Sequence, residues 1–180
     1  MRIIKIFTLA ILCLASASCI KEKLEETYNK QDEQIDKYIT GLLEKNESYT
    51  ATYNDGVSRL TTKAGEGPEL SSNGSISFYY AGYTFSGSIN PASLFGTNHQ
   101  ATAEMAQWNL TDPDYSLMEV SLKDKGLLEG VRKGLIGAQA GEECEIIFSG
   151  KYAFGNHIFG IIPANSALLF KIWVVGVSND

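Results

Sequence analysis

Few residues in this 180-residue chain have the types and spacing that chemistry at a single centre usually requires. The two histidines, His99 and His157, lie far apart and lack ligand spacing, so no metal site is expected. Cys13 and Cys19 fall in or beside an N-terminal apolar run. Cys144 stands alone in Cys144-Glu145-Ile146-Ile147-Phe148, where it reads as a small buried hydrophobe with no disulfide partner. Gly65-Glu66-Gly67-Pro68 is a turn, not a phosphate loop, because no helix start follows it. Ser149-Gly150 is not a nucleophile elbow. The acidic pairs Glu25-Glu26 and Glu142-Glu143 read most simply as solvated faces. What remains is apolar: aromatic and aliphatic side chains ordered through the C-terminal third. No cofactor is implied by any of these residues.

These residues need a scaffold, and the chain can supply one. Hydrophobic residues make up 44% of the sequence, enough for a sizeable core in a chain long enough for one domain and a leader. The formal charge is −6. Arg2 and Lys5 are the only charged residues before Cys19, so a chain starting there loses two positive charges and carries −8. That acidity excludes the basic footprint of a nucleic-acid binder. From residue 20 to about 46 the pattern is helical: Ile35, Tyr38, Ile39, Leu42 and Leu43 recur at i, i+3, i+4, i+7 and i+8. This stripe of three to four turns suits packing on the helix's own domain better than pairing with a second chain. The oligomeric state is left open.

Beyond Thr50, β-prone runs alternate with turn signals such as Asn54-Asp55-Gly56 and Ser72-Asn73-Gly74. Strands are expected over Ser75 to Tyr83, Leu117 to Leu122, Glu143 to Phe148 and Ala167 to Val177, the last nearly continuous in apolar residues and therefore central. Leu127 to Ile136 has helical spacing, and Ala92 to Asp114 reads as a long irregular insertion. The fold class is α+β: an antiparallel sheet wrapped around one short helix, preceded by an N-terminal helix.

The N-terminus has its own signature. Met1-Arg2-Ile3-Ile4-Lys5 is a basic start, Ile6 to Ala15 is apolar, and the small residues Ser16-Ala17-Ser18 precede Cys19. This reads as a secretory signal peptide, too short for a spanning helix. A Cys directly after small residues resembles a bacterial lipobox, with Ser16 where a leucine is usual. The expected organisation is a signal peptide over 1–18, a lipidated N-terminus with helix and linker over 19–55, and a folded domain over 56–180. Lipid on Cys19 would anchor the chain to a membrane of the cell envelope.

A family pattern emerges in the C-terminal third. Leu127-Leu128-Glu129-Gly130-Val131-Arg132-Lys133-Gly134-Leu135 leads to Gly137-Ala138-Gln139-Ala140-Gly141-Glu142. Then follow Ile146-Ile147-Phe148, Tyr152-Ala153-Phe154-Gly155, and Gly160-Ile161-Ile162-Pro163 through Phe170. This order strongly resembles the FKBP-type peptidyl-prolyl isomerases. Upstream, Tyr80-Ala81-Gly82 and Phe95-Gly96-Thr97-Asn98 resemble the same family more loosely. The resemblance implies an FKBP-like fold and catalysis of cis/trans exchange at X–Pro bonds in proline-containing polypeptide clients. It implies catalytic roles for Tyr80, Phe95, Leu128 (through its backbone N–H), Phe154 and Phe170. It implies substrate contacts for Met118, Leu127, Val131, His157, Ile161 and Ile162, with Val131 at the pocket floor and Ile161 and Ile162 at its lip.

Three positions depart from the family pattern. Val131 stands where tryptophan is usual, Gly96 where aspartate is usual, and Phe154 where tyrosine is common. Together they imply lower turnover. The alternative reading is therefore a catalytically weak proline-binding or chaperone module of the cell envelope on the same scaffold.

Overall fold

The computed structural model describes residues 2–108, 114–124 and 126–180, with side chains from residue 21 onward. The leader side chains, that of Cys19 among them, thus lie outside what is described, as does the Thr111-Asp112-Pro113 part of the expected insertion. The elements in chain order are α1 (Arg2–Leu43), β1 (Thr50–Asn54), β2 (Val57–Lys63), β3 (Ser75–Phe85), β4 (Leu94–Thr97), α2 (Gln100–Met105), β5 (Met118–Ser121), α3 (Glu129–Leu135), β6 (Glu143–Phe148) and β7 (Ala167–Ser178). One antiparallel sheet runs in the order β1-β2-β6-β7-β3-β4, with β5 also paired to β3. Residues 50–54, read from the sequence as linker, are an edge strand in register with β2.

The central strand β7 is apolar on both faces because both are covered. Leu168, Phe170, Ile172 and Val174 face the core beneath α3. Ala167 and Leu169 face a second core beneath α1. The stripe on α1 fills that second core: Ile35 and Ile39 are fully buried against Leu60, Tyr83, Phe85 and Ile147. Tyr38 packs edge-on to Phe85 at 5.3 Å and donates a 2.8 Å hydrogen bond to Glu145. The helix therefore packs on its own domain as a second layer.

On the other face, α3 rests directly on β6. A Cβ at Gly130 would collide with the Phe148 ring, and one at Gly134 with Ile146, so only glycine allows this approach. The C-terminal carbonyls of α3 are satisfied by buried Arg59, which donates to Gly134 and Ile136 at 3.1 and 2.7 Å. Arg59 pairs with Glu142 at 3.3 Å, and Glu142 also accepts from Thr61 and from the Gln139 backbone. Glu142 is thus a buried partner, contrary to its reading as part of a solvated face. Its neighbour Glu143 is partly exposed and pairs with Lys63.

The segment read as an irregular insertion is largely ordered. A 3-10 turn at Pro91–Ser93 leads into β4, which pairs with β3, and α2 follows. The His99 ring stacks on Trp173 at 4.0 Å and bonds Thr102. Both elements are too short for a periodic apolar signal. Cys144 is buried, and burial is the first cause that pushes its thiol up, as suits a core position.

Replacing Ile39 by Ala should lower unfolding free energy by about 2–4 kcal/mol in chemical denaturation, while exposed Thr40→Ala stays within about 0.5 kcal/mol. Equal stability of the two variants would mean that the helix does not share the core.

Candidate active site

Most of the residues that the family resemblance grouped line one cavity. It has a volume of about 200 Å³ and a mostly apolar lining. β3 contributes Phe78 and Tyr80, β4 Phe95, β5 Met118 and β7 Phe170. Gly126, Leu127 and Leu128 enter from the approach to α3, Val131 from α3 itself, and Phe154 from the loop after β6.

Each wall has a local cause. Phe170 is the hub of an aromatic set: its ring meets Tyr80 at 6.2 Å, Phe95 edge-on at 5.6 Å and Phe148 in a stack at 6.0 Å. Such geometries suit the quadrupoles of the rings. Phe95 can lie against β3 only because residue 82 is glycine, where a Cβ would fall 2.6 Å from its ring. Leu128 precedes the first turn of α3 in an extended conformation, at the end of the helix where backbone N–H groups lack intrahelical acceptors. Val131 is 4% exposed and closes the inner end.

Tyr80 is fixed through its backbone. Its N–H donates to the Asn98 side chain at 2.6 Å, and its carbonyl accepts from Thr97 at the same distance. Asn98 also donates to Ser116, so a single buried amide joins β3 to the approach to β5. Burial first, and the carboxylate of Asp114 second, push the Tyr80 hydroxyl above its ordinary range. It therefore stays protonated at neutral pH and can donate to a bound carbonyl. Gly96 faces this residue: a Cβ there would lie 3.8 Å from the Tyr80 hydroxyl.

Three expected residues lie elsewhere. Ile162 is 3% exposed in the main core, because a turn with paired bonds between Phe159 and Ile162 folds it inward. Ile161 is 75% exposed, and His157 is exposed on the same loop; neither lines the cavity. Two residues were missed in the sequence. Phe78 shares the alternating aromatic run of β3 with Tyr80, and that alternation was the available signal. Phe159 stacks on Phe154 at 4.4 Å, outside the wall it supports.

Comparison with known proteins agrees with this geometry. Residues 102–175 match the family model of the FKBP-type peptidyl-prolyl cis-trans isomerases. The fold is FKBP-like, and the matched stretch is similar to the FKBP-type isomerases. The match takes in Met118, Leu127, Leu128, Val131, Phe154 and Phe170, while Tyr80 and Phe95 lie upstream of it. FK506-binding protein 1 of Aspergillus oryzae is 22% identical over 123 residues, covering 68% of this chain and 99% of that protein. The peptidyl-prolyl cis-trans isomerase FKBP12 of Vicia faba is 27% identical over 123 residues, covering 67% of this chain and 96% of its own. The crystal structure of FkpA from Escherichia coli superposes with a TM-score of 0.57 at 17% identity, covering 95% of this chain and 70% of that one. At that identity the likeness speaks to the FKBP fold.

The raised Tyr80 hydroxyl has a consequence for pH. A phenol whose folded pKa exceeds its unfolded value contributes stability that is present below about pH 10 and lost as pH rises toward the folded value. In thermal melts between pH 9 and 11.5, Tyr80→Phe should show a shallower alkaline decline than the unaltered chain. Identical slopes would mean that Tyr80 is not buried as described.

Proposed function

We propose that this protein catalyses cis/trans isomerisation of X–Pro bonds in exported polypeptides, from a lipid anchor at Cys19. The observation that carries the enzymatic part is a cavity walled by Tyr80, Phe95, Leu127, Leu128, Val131, Phe154 and Phe170 beneath α3, in an FKBP-like fold. The curated relatives are named as FK506-binding proteins or peptidyl-prolyl isomerases, and that likeness supports the reaction class.

The mechanism follows from the bond. Rotation about an amide meets a barrier of about 18–20 kcal/mol because twisting destroys resonance. The twisted imide has a less polar carbonyl and a more pyramidal nitrogen. A dry apolar pocket disfavours the planar, polar ground state more than the twisted one, and such differential binding lowers the barrier. Proline would sit against Phe170 and Phe95 over Val131. The backbone N–H of Leu128 would hold a substrate carbonyl, and the Tyr80 hydroxyl would supply a second donor. Met118 and Leu127 complete the apolar rim. No proton moves to or from the enzyme, so no nucleophile takes part. His157 and Ile161, on the exposed loop, would meet the chain flanking the proline.

The departures bear on rate. With Val131 for tryptophan the floor is softer, and with Gly96 for aspartate a carboxylate beside Tyr80 is absent. A lost hydrogen bond is worth about 0.5–1.5 kcal/mol, and tenfold in rate about 1.4 kcal/mol, so turnover below that of typical family members follows.

An exchange assay on a Xaa-Pro peptide tests the enzymatic reading. The protein should accelerate a step that otherwise takes roughly tens to hundreds of seconds. Phe170→Leu, which keeps an apolar wall but removes the ring, should lower kcat/KM by about tenfold or more. No acceleration by the folded protein would turn the reading to a proline-binding module; full activity in the variant would remove Phe170 from the site.

The anchor is tested separately. Expressed in a bacterium that processes lipoproteins, the chain should incorporate labelled palmitate and sediment with membranes. Cys19→Ser should do neither, and equal labelling of the two would discard Cys19 as the attachment point.

A further inference from the structure

The N-terminal helix reaches beyond the sheet to the loop that carries Phe154. Its contacts there centre on one amide. The side-chain oxygen of Gln31 accepts from the backbone N–H of Gly150 at 2.9 Å, and its nitrogen donates to the backbone carbonyl of Asn165 at 2.7 Å. One turn earlier on the same face, the Tyr28 hydroxyl donates to the Asn165 side chain at 3.0 Å. Gly150 and Asn165 are the two ends of the segment that bears Phe154, Phe159 and the buried Ile162.

These ends touch. A Cβ at Gly150 would fall 2.6 Å from the carbonyl carbon and oxygen of Asn165. Within the loop, the Asn165 N–H donates to Gly155 at 2.6 Å, and the Gly155 N–H donates to Gly150 at 3.1 Å. Asn165 itself has φ of 59°, in the left-handed region that asparagine enters more readily than most residues with a side chain, and its surroundings help to hold it there. Gln31 and Tyr28 are among those surroundings. A primary amide suits the bridge, since it donates and accepts at once. A carboxylate would only accept, and an apolar chain would do neither. Gln31 keeps its place because Ile35 and Ile39, on the same helix face, are locked into the second core.

We propose that Gln31 is a positioning residue for the pocket. By joining Gly150 to Asn165 it holds residues 150–165 in the shape that sets Phe154 in the cavity wall, so affinity at the cavity depends on the docked helix. Gln31 lines no part of the cavity and acts only through the loop. It lies far upstream of residues 102–175, the stretch that matches the family model. The inference rests on reading the cavity as the proline site.

The test uses the full chain in detergent, with two readouts: amide hydrogen exchange at Gly150, and binding of a Leu-Pro tetrapeptide. Gln31→Met, near in size but without the amide, should speed Gly150 exchange roughly tenfold and weaken the peptide by a similar factor. Amides of Ile147 and Leu169 in the central strands should stay protected. Gln31→Glu keeps the acceptor for Gly150 and loses the donor to Asn165, so it should fall between. Tyr28→Phe, which loses only the bond to the Asn165 side chain, should shift both readouts less. Unchanged exchange in Gln31→Met would overturn the bridge, and faster exchange with unchanged peptide affinity would overturn its link to the pocket. If the unaltered chain does not bind the peptide, the proline reading fails by itself. Exchange at Gly150 and at Phe154 and Phe159 then decides alone whether Gln31 holds the loop.

Discussion

The structure depends on a central strand that is dry on both faces. β7 carries Phe170 toward the cavity and, one residue away, Leu169 toward the helix α1. Successive side chains of a strand point to opposite faces, so a strand with two covered faces must be apolar at nearly every position. Burying a side chain the size of Leu or Phe is worth about 1.5–3 kcal/mol, so each face gives its helix a reason to dock. The alternation also leaves no freedom of register. A slip of one residue would drive Phe170 into the second core and Leu169 into the pocket. The site and the helix-docking surface are thus two sides of one strand.

The cavity exists because α3 is seated at one point and not along its whole approach. Gly130 and Gly134 bring the helix into contact with Phe148 and Ile146, and Arg59 fastens its C-terminal carbonyls from below. Leu127 and Leu128, ahead of the first turn, stand over the gap that this tight seat leaves open, and aromatic rings from β3, β4 and β7 wall it. Arg59 and Glu142 are both buried, and an ion pair of that kind costs about 3–5 kcal/mol when one partner is removed. Its place at the far end of α3 keeps charge away from the cavity while fixing the helix above it. An apolar pocket thereby gains a fixed roof without a charged group inside.

How much was legible in the sequence follows from where each signal resides. Strand β6 matches its expected bounds, and β7 and α3 match to within one or two residues, because their apolar runs are long or their glycines fixed by contact. Tyr80, Phe95, Met118, Leu127, Leu128, Val131, Phe154 and Phe170, which the family resemblance grouped, line one cavity. β4 and α2 were not legible, since a strand of four residues and a helix of six offer no period to detect. Ile162 was read as lip together with Ile161 from the family resemblance; only the turn with Phe159 decides which of two adjacent isoleucines goes inward. Glu142 was read as solvated because its partner Arg59 is distant in sequence, and nothing local announces a long-range ion pair. The role of Gln31 was invisible for the same reason: a lone glutamine on a charged helix has no pattern, and its meaning comes from two backbone groups that folding brings together.

A site built without titratable chemistry shifts the burden of function onto shape. Where a catalytic carboxylate or histidine tolerates small movements by keeping its hydrogen bonds, an apolar wall acts only while it excludes water and stays in contact. Most walls here are borne by the sheet and α3, whose positions the core fixes. Phe154 differs, since it stands on a loop whose fold relies on hydrogen bonds between its own ends and on its stack with exposed Phe159. Segments with few buried apolar contacts open at lower free energy than core strands. The loop is thus the part of the pocket whose shape most needs outside support, and α1 is the element placed to give it.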